Sequence, residues 1–87
     1  MSYRLEFTKP ATKQFKALPQ QVQQRLKPRI EALTTEPRPA GMIKLSGEEE
    51  LYRIRVGEYR IVYTIQDDQL LILVVVVAHR REVYRRL

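Results

Sequence analysis

The sequence LYRIRV-GE-YRIVYTI, residues 51–65, predicts two β-strands joined by the two-residue turn Gly57-Glu58. Side chains alternate across a strand, so each arm of this hairpin has an apolar face and a polar face. Glycine at the first central position is typical of a type II′ turn, and such a turn pairs Arg55 with Arg60 across the hairpin. One face therefore suits a core, and the other face carries arginines.

Three arginines share the polar face of the predicted hairpin: Arg53, Arg55 and Arg60. Like charges directly opposite each other destabilise a sheet. For any single arginine, a solvated polar face is an adequate explanation. Three together, one of them opposite another, indicate an anion that they bind.

Length and composition limit the class of protein. The 87 residues are enough for one domain, spanning residues 1–87, with a single core. There is no cysteine and only one histidine, so we expect no disulfide, no metal and no cofactor. The N-terminus has no apolar stretch typical of a signal peptide, and the longest apolar run, residues 70–78, is too short to span a bilayer. These features predict a cytoplasmic protein that does not bind a membrane.

The charge of the chain predicts a polyanionic partner. The net charge is +6 and the sequence pI is about 10.0. After Leu51 the chain has seven arginines and no lysine. Arginine matches phosphate with a planar fork of donors, whereas lysine is a point charge. The bias favours a phosphate-bearing partner such as nucleic acid.

The order of elements predicts an α+β fold. Residues 3–7 alternate as a strand, and Thr8 is a candidate N-cap for a helix over residues 9–18. A second helix follows Pro19, with Pro28 expected to bend or interrupt it. Residues 36–50, rich in Pro and Gly, are predicted to form a loop before the hairpin.

After the hairpin, Asp67-Asp68 is predicted to form a second tight turn, and the apolar residues 69–78 to form a central strand. This turn would pair Arg60 with Val75. Residues 79–87 are predicted to form a short basic helix near the Gly57 end of the hairpin. The expected order is β-α-α-β-β-β-α: one mainly antiparallel four-stranded sheet, a helical hairpin on one face and a short C-terminal helix.

Read together, these motifs resemble the RelE/ParE toxin superfamily, and most specifically its RelE-type messenger-RNA interferases. The matching segments cover essentially the whole chain in order: residues 3–7, LTTEP at 33–37, KLSG at 44–47, the hairpin at 52–63 and AHRREVY at 78–84. The hairpin and the final segment are the specific ones. The resemblance implies a RelE-like toxin that cuts messenger RNA at the ribosomal decoding site and is inhibited by a RelB-like, acidic or amphipathic antitoxin.

The resemblance also implies roles for individual residues. Arg60 matches the arginine at the scissile phosphate, and Arg80 or Arg81 matches the arginine that assists the leaving oxygen. Tyr84 matches the tyrosine that stacks on a base of the message. Lys44 is a further candidate catalytic residue. The candidate RNA-binding residues are Arg53, Arg55, His79 and Arg85, the first two standing where the family often has lysine.

Such an enzyme needs no metal, because RNA carries its own nucleophile, the 2′-hydroxyl. Positioning that hydroxyl in line with the leaving oxygen supplies roughly 7–11 kcal/mol in well-aligned cases. Arginines stabilise the charge that develops on the phosphorane, but they stay protonated and cannot act as bases. Surrounding positive charge lowers the pKa of a lysine or a tyrosine, and an imidazole titrates near neutrality. Lys44, Tyr84 and His79 therefore all stay open as the proton-transfer group.

Two other functions fit the same residues. A ParE-type toxin of this fold would inhibit DNA gyrase without nuclease chemistry. A non-catalytic nucleic-acid-binding module would use the same arginines for binding alone. The combination of Lys44, Arg60 and Tyr84 with the paired arginines favours the ribosome-dependent endoribonuclease.

Overall fold

A computed structural model describes residues 2–46 and 50–79. Two helices pack on one face of a five-stranded mixed sheet, which confirms the predicted α+β class. The elements are β1 (Arg4–Phe7), α1 (Lys9–Lys16), α2 (Gln20–Glu31), β2 (Ile43–Ser46), β3 (Leu51–Val56), β4 (Tyr59–Gln66) and β5 (Leu71–His79). The strand order is β1-β5-β4-β3-β2, with β1 parallel to β5 and the other neighbours antiparallel. The predicted C-terminal helix lies outside the described residues.

Both predicted helices form, although α1 ends at Lys16, two residues earlier than predicted. The Thr8 side chain caps α1 by accepting a hydrogen bond from the Ala11 backbone N–H at 3.2 Å. Pro28 lies inside α2 without interrupting it, and the helix continues to Glu31. Within the described ranges, no helix is long and apolar enough to cross a membrane.

The sheet has one strand more than the four predicted, because part of the presumed loop over residues 36–50 is β2. The Met42 N–H donates to the Pro39 carbonyl at 3.2 Å, and Gly41 has a φ of +89°, as position i+2 of a type II turn requires. This turn sends the chain into β2, where Ile43 pairs with Arg53 of β3. A four-residue edge strand with one register shift has too little alternation to be recognised in the sequence.

The core lies between the helices and one face of the sheet. Its largest fully buried side chains include Leu26 and Ile30 from α2 and Ile61, Tyr63 and Ile72 from the sheet. The Tyr63 hydroxyl donates to the Pro37 carbonyl at 2.8 Å, and burial raises the pKa of this phenol to about 12. The apolar face predicted for the hairpin is thus the face that meets the helices.

The predicted pairing of Arg60 with Val75 is wrong, because Arg60 lies opposite Ala78. The observed partner lies three residues further along β5 than the predicted one. Two of these three residues come from the turn, because a 3₁₀ segment and Leu70 put four residues, not two, between β4 and β5. The third comes from a β-bulge that leaves Val75 as an extra residue in β5. The strand still ends beside the Gly57 turn, because its last residue, His79, pairs with Tyr59.

Candidate nucleic-acid site

The arginine face is assembled by the β3–β4 hairpin. Arg55 lies opposite Arg60, as predicted from the two-residue turn. Gly57 has a φ of +60°, and the described part of the chain has only one non-glycine residue with positive φ, Leu70. The turn is therefore type II′. We use the name arginine face for the side of the sheet that carries Arg53, Arg55 and Arg60.

The three side chains differ in depth. Arg60 is buried, with 4% of its surface exposed, whereas Arg53 is half-buried and Arg55 is exposed. In the cross-strand row, Arg60 stands between Arg55 on β3 and the small Ala78 on β5. A guanidinium at this depth has little rotamer freedom, so β4 holds it in a fixed direction. An exposed arginine at the same position would have to be ordered by its ligand, at a cost in side-chain entropy.

Arg53 carries a buried donor. Its Nε atom is inaccessible to solvent and has no hydrogen-bond partner in the part of the chain that the structure describes. Buried donors without a partner are rare in proteins. Because Nε is closed off from solvent, an anion that binds Arg53 meets the terminal nitrogens of the guanidinium and not Nε.

Lys44 lies away from these arginines. It pairs with Tyr52, whose ring belongs to the core on the helical side. Its neighbour Leu45 packs with Val62 and Ala78 on the arginine face. Because adjacent side chains in a strand point to opposite sides, Lys44 projects from the helical side of the sheet edge.

His79 also lies on the helical side. It pairs with Tyr59, and the two rings meet edge to face with centroids 5.6 Å apart at an interplanar angle of 80°. Its neighbour Ala78 occupies the arginine face, in the row of Arg60. The imidazole is therefore placed as a packing residue at the strand end.

The remaining predicted residues, Arg80, Arg81, Tyr84 and Arg85, lie outside the described residues, and their roles stay predictions.

The structure adds one arginine that the sequence did not indicate. Arg29 of α2 lines a cavity of about 330 Å³ at the open edge of β3, together with Arg53 and Arg55. Its other lining residues are Ala40, Gly41, Ile43 and Ile54. In the sequence, Arg29 is an ordinary exposed helix residue, and only the packing of α2 beside β3 brings it to the hairpin.

Arg38 has a structural role instead. Its guanidinium donates to Asp67 Oδ2 at 2.9 Å, and the Tyr3 hydroxyl donates to Asp67 Oδ1 at 2.5 Å. The hydrogen bond from Arg38, followed by that from Tyr3, lowers the pKa of the Asp67 carboxyl. This network joins the residue before β1, the Pro-rich loop and the β4–β5 turn, so Arg38 is engaged with a carboxylate and is not part of the arginine face.

Comparison with known proteins finds similar sequences over nearly the whole chain. Residues 5–84 match the family model described as the ParE toxin of type II toxin–antitoxin systems, parDE. The chain is 32% identical over 88 residues to the mRNA interferase toxin RelE of Escherichia coli strain K12, covering 97% of this chain and 92% of that protein.

Two solved structures are similar across nearly the whole fold. The first is the archaeal RelE–RelB complex from Pyrococcus horikoshii OT3, with a TM-score of 0.80 and 30% identity, covering 92% of this chain and 97% of that one. The second is the intact E. coli RelBE toxin–antitoxin complex, with a TM-score of 0.78 and 30% identity, covering 90% of this chain and 96% of that one.

Proposed function

This chain belongs to the ParE toxin family of type II toxin–antitoxin systems and is a RelE-type toxin, and we propose that it stops translation by cutting messenger RNA bound to the ribosome. The observation that carries the proposal is the placement of Arg60, buried in mid-strand, directly beside Arg55 on a face that also holds Arg53. Three positive charges on one hairpin, the deepest of them held in a fixed direction, form a binding surface for a phosphodiester backbone. An enzyme that acts on ribosomes works in the cytoplasm.

In the proposed reaction, the 2′-hydroxyl of the message attacks the adjacent phosphorus and the bond to the 5′-oxygen breaks. The products are a 2′,3′-cyclic phosphate and a 5′-hydroxyl, with the proton of the 2′-oxygen transferred and one proton supplied to the leaving oxygen. Arg60 stabilises the charge on the phosphorane, and Arg53 and Arg55 hold the backbone in register. Arg80 or Arg81 is assigned to the leaving oxygen, and Tyr84 to stacking on a base.

No residue on the helical side of the sheet is assigned as the proton-transfer group. Lys44 and His79 both lie on that side, across the sheet from Arg60. A side chain must come within about 3 Å of the proton it moves, directly or through one water. We therefore assign no proton-transfer step to either residue, and we place this step with Tyr84 or with groups of the ribosome.

We further propose that a RelB-like antitoxin is the cellular partner. Both structural relatives described above are complexes with RelB. The net charge of +6 on this chain predicts that its inhibitor is acidic or amphipathic, because like-charged partners repel each other. An antitoxin that covers the arginine face or displaces the C-terminal segment would block access of RNA.

Gyrase inhibition is the second candidate function, because the matching family model is described by its ParE toxin. The two functions separate cleanly in vitro. An inhibitor of gyrase would reduce the supercoiling of plasmid DNA and leave messenger RNA on ribosomes intact, whereas the proposed nuclease would do the reverse.

The direct test is incubation of the purified toxin with messenger RNA in two states, bound to translating ribosomes and free in the same buffer. We expect cuts only in the ribosome-bound message, since the scattered acid and base groups of the chain rely on the ribosome to align the 2′-hydroxyl. An intact ribosome-bound message, with toxicity explained by loss of supercoiling, would reject the proposal in favour of the gyrase inhibitor.

A further inference from the structure

We propose that the cavity lined by Arg29, Arg53 and Arg55 is a second phosphate site, which holds a backbone phosphodiester of RNA next to the one bound at Arg60. We call it the edge cavity. This inference rests on the proposed function in that it names the ligand as RNA, but the site itself is a property of the free toxin.

The edge cavity exists because β2 is short. β2 covers β3 only from Leu51 to Arg53, so no strand of the described residues lies beside the edge of β3 beyond Arg53. The Pro39–Met42 turn and α2 border the opening instead, and the volume enclosed is about 330 Å³. This volume admits a phosphate group together with several waters, each of which takes about 30 Å³.

The described residues give the edge cavity only positive charge. Among the residues that the structure describes, its three charged lining residues are Arg29, Arg53 and Arg55, and none of the lining residues is a carboxylate. Within residues 2–46 and 50–79, none of the three arginines forms an ion pair. Three guanidinium groups around one opening repel one another, and an anion at the centre removes that cost.

One feature of the lining besides its charge suits a nucleic-acid ligand. Ile43, also part of the lining, is 47% exposed, and it is the one large hydrophobic side chain that is exposed in the described part of the chain. A phosphate bound to the arginines would bring its sugar or base against this apolar surface.

The position of the edge cavity continues the arginine row. Arg60 on β4, Arg55 on β3 and the opening beside β3 follow one another across the sheet. Neighbouring strands are about 4.8 Å apart, so the cavity lies roughly 10 Å from the strand that carries Arg60. A strand of RNA laid across the sheet would run along this row.

The first test uses inorganic phosphate and the free toxin. Backbone amide resonances of Gly41 and Ile43 are followed by NMR during the titration, for the wild type, Arg29→Gln and Lys27→Gln. Lys27 is the matched control, because it is an exposed base on the same helix and lines a different cavity, between β1 and the helices. We expect saturable shifts in the wild type and in Lys27→Gln, and affinity about tenfold weaker in Arg29→Gln, the loss typical for one charged hydrogen-bonding partner. Equal affinity in the two variants, or no saturable shift at Gly41, would overturn the site.

The second test identifies the source of the phosphate. Binding is measured to ribosomes programmed with a message that carries a 2′-O-methyl group at the cleavage position and a neutral methylphosphonate at one neighbouring linkage. If the messenger supplies the phosphate, one methylphosphonate weakens the wild type about tenfold and has no further effect in Arg29→Gln, while Lys27→Gln stays sensitive. If ribosomal RNA supplies the phosphate, Arg29→Gln binds the programmed ribosome more weakly than Lys27→Gln does, and the position of the methylphosphonate in the message does not change this difference. Identical binding by the two variants would overturn the inference.

These outcomes are separable from the fate of the proposed function, because both tests measure binding to uncleaved ligands. If the toxin binds phosphate near Gly41 in a way that depends on Arg29 but cuts no message, the phosphate site in the edge cavity is supported and the nuclease function is rejected. If the toxin cuts the message, and Arg29→Gln and Lys27→Gln cut and bind equally well, the nuclease function is supported and the phosphate site in the edge cavity is rejected.

Discussion

Arg55 and Arg60 are directly opposed on β3 and β4, one exposed and the other 4% exposed. The pair that closes a two-residue hairpin is the hydrogen-bonded type, so the next pair, Arg55 and Arg60, is the type in which side chains lie closest. Like charges in this arrangement cost roughly 0.2–1 kcal/mol of stability. The sequence retains a destabilising pair at the centre of the proposed site.

Replacing Arg55 with Gln should therefore make the folded protein more stable and the toxin weaker. We expect the free energy of unfolding to rise by about 0.5 kcal/mol, since one of two opposed charges is removed. Urea denaturation of Arg55→Gln and of the surface control Arg4→Gln measures this change. A loss of stability in Arg55→Gln larger than in the control would show that the pair is not a source of repulsion.

Arg53 and Arg55 should also determine how the toxin responds to salt. For each phosphate that a variant can no longer bind, the slope of log affinity against log salt concentration should fall by about one unit. The slope is measured for binding to programmed ribosomes, with wild type, each single Gln variant and the double variant. If the double variant keeps the wild-type slope, these side chains bind no phosphate.

His79→Ala should affect folding more than catalysis. The substitution removes the edge-to-face packing of the imidazole on Tyr59, which is expected to cost about 1 kcal/mol of stability, while single-turnover cleavage changes by no more than a few fold. We expect the cleavage rate of both proteins to keep rising toward alkaline pH. A variant that loses activity and also loses a rate dependence between pH 6 and 7 would identify the imidazole as the proton-transfer group.

Asp67 should make the toxin sensitive to acid. The hydrogen bonds from Arg38 and Tyr3 lower the pKa of this carboxyl in the folded state below its ordinary value of 3.8. Its contribution to stability is therefore fully present above that value and is lost as the pH falls through the lower folded-state pKa. Thermal unfolding between pH 2 and pH 7 should show less acid destabilisation in Asp67→Asn than in the wild type. The exposed neighbour Asp68 supplies the control. If Asp68→Asn reduced the acid destabilisation by the same amount, the effect would come from the overall charge of the protein and not from the hydrogen bonds to Asp67.

The parts of the fold that the sequence predicts correctly are those with a local signal. Gly57 at a two-residue turn determines the pairing of Arg55 with Arg60, and Thr8 marks the start of α1. The β4–β5 register has no such signal. The turn closes on Leu70 with a φ of +50°, a conformation usually marked by Gly or Asn, and the bulge at Val75 lies within four identical valines.

The same distinction between features with and without a local sequence signal applies to the site. The alternation of β3 and β4 is enough to place three arginines on one face, because the period of a strand is local. The side of the sheet on which Lys44 and His79 lie depends on a register shift in β2 and on the bulge in β5. The approach of Arg29 to the hairpin depends on the packing of α2 beside β3, which no short-range pattern encodes.

The proposed role of Arg60 is to stabilise the scissile phosphate, and single-turnover cleavage of messenger RNA on programmed ribosomes is the measurement that tests it. Wild type is compared with Arg60→Ala, with Arg60→Gln, which removes the charge but keeps more of the buried side chain than alanine does, and with the surface control Arg4→Gln. We predict that both Arg60 variants fold and bind ribosomes but cleave about 10²–10³ times more slowly, the usual effect of removing one transition-state donor, while Arg4→Gln cleaves at the wild-type rate. Cleavage by either folded Arg60 variant within a few fold of the wild type would contradict the account.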